Sequence, residues 1–520
     1  MVCDVSNLLP AGETYEAIYD AFSWNIPDDL NMAHEVCDRW AEAAPDRIAL
    51  IDRTGDGDCE ISFGQLRAMA DRLAAHLQDL GVKRGDCVGV LRRQSIWTAA
   101  GHIAVWKLGA VSLPLSPLFA RGALSSRLSD AQAKYVITDE AGGGRLIALD
   151  LDITPVFPED APDAQHFETA KTGPDTPASL IYTSGTTGAP KGALHGHRVL
   201  HGHRPGVEMS HDGGFQAGDI LWTPADWAWI GGLFDGLMPG LAAGIPVVAG
   251  PPGKFDPVQT KALCEDLGIT CVFFPPSALK MLRSNKVEID GLRTVASGGE
   301  PLGAEMLHWG QSALGVTINE FYGQTEANMV ISSCAKLFAP HPGVTGRAGP
   351  GHRVRVGDAV GALTEGEGDI AVHRSSPVVM LEYLNRAEAT AEKFRGDWLI
   401  TGDRGVLDDD MIKFIARDDD VITSAGYRIG PSEIEDCLLK HATVAAVGVV
   451  GRPDPDRTEI VVAHVVLMPG VTGDEALKKT LAAHVRETYS AHAYPRDVVF
   501  CDALPMTVTG KILRRELREG

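Results

Sequence analysis

The sequence predicts an α/β fold, with a large N-terminal domain of mainly parallel sheets flanked by helices and a small, mobile α+β domain at the C-terminal end. Two observations carry this. From about residue 30 onward, short apolar runs alternate with amphipathic helical patterns, as in strand–helix–strand units. The acidic run Arg417-Asp418-Asp419-Asp420 then precedes about a hundred residues with a pattern of their own. The 520 residues leave room for roughly three domain-sized units. The expected boundaries are 1–416, a hinge at 417–420, and 421–520.

Asn31 to Ala43 reads as a helix with Asn31 as its cap. Phe63 to Leu80 is a second helix, with Leu66, Met69, Ala70, Leu73, Leu77 and Leu80 on one stripe. Cys87 to Leu91 reads as a buried strand, Ser95 to Leu108 as a helix, and Ala110 to Leu113 and Lys134 to Thr138 as strands. The Gly-rich acidic tract Gly357 to Gly368 reads as a turn between short strands. Beyond the linker, Ser432 to His441 and Asp474 to Tyr489 are helical, and Val444 to Val450 and Ile460 to Leu467 are strands.

Formal net charge is −22, which disfavours nonspecific nucleic-acid binding without excluding a local cationic site. Nine scattered cysteines, with no C-x-x-C pair, disfavour a disulfide scaffold or structural zinc. The longest apolar stretch, Gly236 to Gly250, is interrupted by Pro239, Gly240, Gly244 and Pro246 and is too short to span a bilayer. Met1 to Pro10 carries no signal-peptide pattern, so a cytoplasmic protein is expected.

The most informative stretch is Tyr182-Thr-Ser-Gly-Thr-Thr-Gly-Ala-Pro-Lys-Gly192. Thr183, Ser184, Thr186 and Thr187 offer hydroxyls, and Gly185, Gly188 and Gly192 allow close backbone approach to a ligand. Lys191 supplies a cation. The combination points to polyphosphate binding. It is not a Walker loop: Pro190 precedes Lys191, and Gly192 stands where Ser or Thr is required. A plain Gly/Ser/Thr-rich surface loop is the bland alternative, and its position directly after the apolar run Ala178 to Ile181 argues against it.

This loop resembles the signature of the adenylate-forming superfamily: acyl-CoA synthetases, adenylation domains of peptide synthetases, and luciferases. Further motifs follow in that family's order. Tyr322-Gly323-Gln324-Thr325-Glu326, read as a loop at a strand end, is similar to Y-G-x-T-E. The resemblance implies that Tyr322 stacks on adenine, Thr325 contacts the α-phosphate and Glu326 ligates Mg²⁺. Ser297-Gly298-Gly299-Glu300-Pro301 resembles the adenine-site loop. Thr401-Gly402-Asp403 resembles the ribose motif, with Arg417 beside it. Ser424 to Glu435 resembles the segment after the interdomain hinge, with Asp419 as the hinge residue and Gly426 and Arg428 at the CoA site. Pro505 to Arg514 resembles P-x-T-x-x-G-K, with Lys511 binding the substrate carboxylate and the α-phosphate.

Thr223-Pro-Ala-Asp-Trp-Ala-Trp229 and Gly323-Gln-Thr-Glu326 look most like short- and medium-chain acyl-CoA synthetases. Acetyl-CoA synthetases place bulkier side chains at positions matching Gly231, Gly298 and Gly323. With Trp229 and Ile230, these glycines are expected to line an acyl pocket deeper than acetate needs. The resemblance thus implies an enzyme joining a medium-chain, branched or aryl acid to CoA with ATP and Mg²⁺, through an acyl-adenylate. Its catalytic residues would be Lys511, Glu326 and Thr183. Two alternatives stay open: a stand-alone adenylation enzyme loading a carrier protein, and a catalytically idle nucleotide-binding regulator. Small molecules are the expected partners, with a homodimer compatible. His195, His197, His201 and His203 have spacing that could bind a metal, but Gly196 and Gly202 imply a flexible segment without an acidic partner.

Overall fold

The computed structural model describes residues 5–54, 59–163, 166–183, 190–251, 253–299, 302, 304–341, 344–357, 366–417, 422–429, 431–505, 512 and 514–519. Two sheets dominate the large domain. In the first, Ile318–Gln324, Thr294–Gly298, Cys271–Phe273, Leu221–Trp222, Val247–Ala249 and Ile48–Asp52 run parallel to their neighbours. Antiparallel strands Ala327–Ser332, Arg347–Ala348 and Cys59–Ser62 complete its edges. In the second, Pro177–Thr183, Val111–Leu115, Cys87–Leu91, Tyr135–Thr138 and Thr154–Val156 are parallel, and Lys191–Gly196 and Glu382–Tyr383 extend it antiparallel.

Strands buried on both faces need helices on both sides, and the expected helices are there. Phe63–Asp79 starts from a capping box formed by Ser62 and Gln65 and buries Leu66, Leu73 and Leu77. Ile96–Lys107 is capped by Ser95 and buried along most of its length. At its end the buried Lys107 ammonium reaches Asp38 (2.5 Å) and Asp71 (2.9 Å). That charge is matched within the core rather than left unpaired, which would be strongly unfavourable. The expected helix after Asn31 is there, helical from residue 32 to residue 43, with a π-helical stretch, His34–Asp38, leading into Arg39–Ala43. Asn31 does cap it, accepting from the Ala33 N–H at 2.9 Å.

The histidine segment departs from expectation. Lys191–Gly196 is a strand and Val199–Ser210 a helix, and every residue of that helix is buried, Pro205 included. Its glycines mark close approach, not flexibility. A Cβ at Gly202 would lie 2.6 Å from the Val378 backbone, and one at Gly196 2.5 Å from the Pro174 carbonyl. Burial pushes His195 down to about 4 and His197 and His203 down to about 3. Among the described residues no three His, Cys, Asp or Glu side chains are grouped to hold a metal ion.

A third, antiparallel sheet of five strands includes Trp398–Asp408 and Met411–Arg417. Arg417 therefore closes a strand rather than opening a linker; Asp418, Asp419 and Asp420 lie outside the described residues. The C-terminal residues form a separate sheet in the order Tyr427–Ile429, Ile422–Ser424, Thr458–Leu467, Val444–Asp454, with Asp497–Phe500 parallel to Thr458–Leu467. Helices Pro431–Leu439 and Glu475–Thr488 contribute Ile434, Leu438, Leu481 and Val485 to one core with Val447, Val449 and Val465. The eight described cysteines are all free, and no helix among the described residues is long and apolar enough to cross a membrane.

Candidate active site

Strand order brings the sequence motifs to one place. Thr183, Gly298 and Gln324 are the last residues of strands Pro177–Thr183, Thr294–Gly298 and Ile318–Gln324. In α/β sheets, ligands collect at such carboxyl ends. Gly298 stands in register with Phe321, beside Tyr322, on the neighbouring parallel strand. Tyr322 and Gly323 lie within the strand, not in a loop beyond it. Only Thr325 and Glu326 form the tight connection to Ala327–Ser332.

Thr183 pairs with Lys191 across a hairpin whose tip, Ser184, Gly185, Thr186, Thr187 and Gly188, lies outside the described residues. The Thr183 hydroxyl donates to the Lys191 carbonyl at 3.4 Å. Lys191 Nζ sits 5.3 Å from the ring centroid of Tyr383, and the Tyr383 hydroxyl donates to Glu326 Oε1. Lys191, Tyr383 and Glu326 thus form a chain from the Gly/Ser/Thr-rich loop to the Tyr322 motif. Beneath Glu326, His195 is fully buried and kept neutral.

On the other flank the Tyr322 hydroxyl donates to Asp403 Oδ2 at 2.6 Å, and Gln324 Nε2 donates to the Thr401 carbonyl at 3.0 Å and to Asp403 Oδ2 at 3.3 Å. Lys393 Nζ donates to Gln324 Oε1 at 3.3 Å and to the Thr401 carbonyl at 2.9 Å. Asp403 faces Arg417 in the backbone register of the antiparallel pair. Gly299 follows its strand with φ +100°, a conformation that suits glycine. Glu300, Pro301, Asp419 and Lys511 lie outside the described residues, as does the side chain of Arg428.

The segment Thr223 to Trp229 is clamped by Gln94, whose Nε2 donates to the carbonyls of Thr223 (3.0 Å) and Ala225 (2.7 Å). Asp226 accepts from the Ser116 hydroxyl (2.8 Å) and the Ala228 N–H (3.0 Å), and its burial raises its pKa above the ordinary carboxylate range. Trp229 does not sit inside the large domain alone. It packs edge-on to Phe119 (5.5 Å), to Tyr427 (6.3 Å) and to His492 (6.2 Å), and the rings of Tyr427 and His492 stack at 3.8 Å. Tyr427 and His492 belong to the small domain. The same interface holds the Ala120 N–H donating to the Tyr489 carbonyl (2.6 Å) and Lys280 donating to the Thr458 hydroxyl. Gly426, at φ +80°, lies against the start of helix Pro276–Ser284; a Cβ there would meet Ser277 Oγ at 3.1 Å.

The three glycines expected to line an acyl pocket are not equivalent. A Cβ at Gly231 would make ordinary contacts with Phe273 Cε1 (3.4 Å) and Asp235 Oδ2 (3.5 Å), so a Cβ has room there. At Gly298 it would lie 2.5 Å from Cδ2 of Phe321, whose ring fills the space a side chain would take. At Gly323 it would lie 2.5 Å from the Asn328 Cα. Gly323 is thus packed against the hairpin backbone, which would have to shift for a side chain to stand there. Sequence reasoning missed Tyr383, Phe273, Phe321, Asn328 and Asp235. Tyr383 stands among apolar residues and reads as core; only its hydroxyl marks it.

The chain matches the model of the AMP-binding enzyme family over residues 37–384 and that of the AMP-binding enzyme C-terminal domain over residues 433–511. It is 31% identical to the mouse mitochondrial acyl-coenzyme A synthetase ACSM3, over 97% of this chain and 93% of that protein. It is 30% identical to the acetyl-coenzyme A synthetase of Bacillus subtilis, over 97% and 95%. Its fold matches the crystal structure of a Brucella canis acyl-CoA synthetase with TM-score 0.72 and 32% identity, covering 98% of this chain and 99% of that one. The chain belongs to the AMP-binding enzyme family and is an ATP-dependent, AMP-forming acyl-CoA synthetase.

Proposed function

We propose that the enzyme activates a carboxylic acid larger than acetate, of medium-chain, branched or aryl type, in two half-reactions at this site. In the first, a substrate carboxylate oxygen bonds to the α-phosphorus of ATP, the bond to the β-phosphate oxygen breaks, and pyrophosphate leaves. In the second, the CoA sulfur bonds to the acyl carbon, AMP leaves, and the thiol proton is released. The observation that carries the reading is the Lys191–Tyr383–Glu326 chain, which joins a cation-bearing loop to a buried carboxylate beside the Tyr322–Asp403 pair.

In this reading the hairpin Thr183–Lys191, with Ser184 to Gly188, cradles the β- and γ-phosphates. Tyr322 and Gly299 to Pro301 take the adenine. Asp403 and Arg417 take the ribose, and Thr325 and Lys511 the α-phosphate. Glu326 would hold Mg²⁺. One fixed carboxylate suits an ion whose other positions are filled by substrate phosphates and water; when bound, it neutralises phosphate charge. Gly231, Trp229 and Ile230 line the acyl pocket, with Gly231 providing its depth.

CoA reaches the site past Gly426 and Arg428, with the small domain pivoting at Asp419 between the half-reactions. The contacts of Gly426 with Ser277 and of Tyr427 with Trp229 support a docked position suited to thiol attack. The test is CoA-dependent AMP release across straight-chain acids of two to ten carbons, branched acids and benzoates. A preference for acetate over every longer acid would overturn the size assignment. AMP release only with a carrier protein would favour the carrier-loading alternative.

A further inference from the structure

The floor beside Gly231 is not apolar. The π-helix Gly231–Leu237 carries Asp235 one turn beyond Gly231, so that its Oδ2 lies 3.5 Å from the place a Cβ of Gly231 would take. Short π-helices often mark functional positions, because the wide turn re-aims side chains. Asp235 is buried, as is Asn328 on the strand Ala327–Ser332, whose Nδ2 donates to both carboxyl oxygens at 2.9 and 2.7 Å. Behind them His203 is fully buried. Its Nδ1 is bonded to the Val199 carbonyl at 2.8 Å, which places the proton on Nδ1. Its Nε2, a bare acceptor, stands 3.9 Å from Asp235 Oδ1 and has no hydrogen-bond partner.

A site for a purely apolar chain has no use for this arrangement. Buried polar groups cost free energy unless they are satisfied, and well-packed apolar side chains of equal volume serve stability at least as well. Phe273, which a Gly231 Cβ would meet at 3.4 Å and whose ring centroid lies 5.1 Å from that of Phe321, forms an apolar wall of the same space. The space beside Gly231 therefore has one aromatic wall and one hydrogen-bonding wall.

We propose that Asp235, held by Asn328 and backed by His203, is a specificity residue that takes a hydroxyl group carried on the acyl chain of the substrate acid. The proposal rests on the reading that Gly231 lines the acyl pocket. A hydroxyl both donates and accepts, so it pairs with Asp235 whether the carboxyl is protonated or ionised. Burial raises the pKa of Asp235 well above the ordinary carboxylate range, which favours the neutral, donating form.

The experiment compares kcat/KM for hexanoate with that for its 3-, 4-, 5- and 6-hydroxy isomers, using CoA-dependent AMP release by the full chain. At least one hydroxy isomer is expected to exceed hexanoate by about 10-fold or more, because a site built to bond a hydroxyl discriminates against the analogue lacking it. Asp235→Leu is expected to collapse that ratio to near one or below, and Asp235→Asn to retain part of it. Hexanoate outrunning every isomer in the wild type, or an unchanged ratio in Asp235→Leu, overturns the subsite. The wild-type ratio decides the matter if the leucine variant does not fold. If no acid supports AMP release, the functional reading fails. The subsite is then judged by thermal stabilisation of the wild type with AMP and each acid, where equal shifts for hexanoate and all hydroxy isomers overturn it.

Discussion

Gly231→Val adds a side chain at the one glycine of the proposed acyl pocket where a Cβ would make only ordinary contacts. The new Cβ would lie 3.4 Å from Phe273 and 3.5 Å from Asp235, ordinary contact distances, so the helix start need not shift. In the proposed reading the two γ-methyls then project into space that the acyl chain would occupy. If they displace about two methylenes of substrate, the lost burial is about 1.6 kcal/mol at roughly 0.8 kcal/mol per methylene, or about 15-fold in kcat/KM. The loss should fall on acids of six carbons or more and spare propionate. The assay is pyrophosphate release for each acid of the two-to-ten-carbon series, with the KM for ATP measured alongside. A uniform loss across all chain lengths, or an unchanged chain-length profile with ATP binding intact, would refute the placement of Gly231 at the pocket wall.

Tyr383→Phe removes a hydroxyl hydrogen bond to the buried Glu326. A bond to a charged group is worth about 1.5–3 kcal/mol, so acyl-adenylate formation should slow by roughly 10- to 100-fold, with a raised Mg·ATP requirement. Thioester formation from supplied acyl-adenylate should be spared, and equal loss in both half-reactions would count against the chain from Lys191 to Glu326. Lys511→Ala should cost the first half-reaction about 10²-fold or more while sparing the second, as measured by single-turnover kinetics; loss in the second alone would overturn its role. Acid should destabilise the fold. Burial holds His102, His197, His203 and His211 down at about 3, and His195, His352 and His492 at about 4. Each folded value lies below the unfolded value near 6.5, so the stabilisation is present above about pH 6.5 and is lost as pH falls toward the folded value. At pH 5.5 each withdraws about 1.4 kcal/mol. Melting temperature should drop steeply from pH 7 to 5, and a flat profile would contradict the burial of these rings in neutral form.

Where a single periodicity decides the structure, the sequence is readable. Phe63–Asp79 shows its stripe and its capping box, and Glu475–Thr488 begins at the capping Asp474. The motif loops could be ordered along the chain for the same local reasons. Val199–Ser210 could not be read, because two glycines, two histidine rings and Pro205 all argue against a helix that only surrounding packing stabilises. Nor could the lack of room for a Cβ at Gly298 and Gly323, which depends on Phe321 and Asn328. Tyr383 and Asp235 are conspicuous only once strands far apart in sequence are laid side by side. The sharing of Trp229 with Tyr427 and His492 likewise arises between domains, beyond any local pattern.

The small domain's sheet carries different equipment on its two margins. The margin formed by Tyr427–Ile429 faces Trp229 and Ser277. The far margin, Val444–Asp454, receives the C-terminal segment: a Cβ at Gly448 would meet Ile512 at 3.3 Å, and Arg514 pairs with Glu435 at 2.8 Å. Three strand spacings of about 4.8 Å put the two margins about 14 Å apart. No change of rotamer spans that gap. The two margins therefore cannot serve the same place at the same time, and in the proposed reading a covalent staple at the Lys280–Thr458 contact is expected to leave an enzyme able to consume acyl-adenylate but unable to make it.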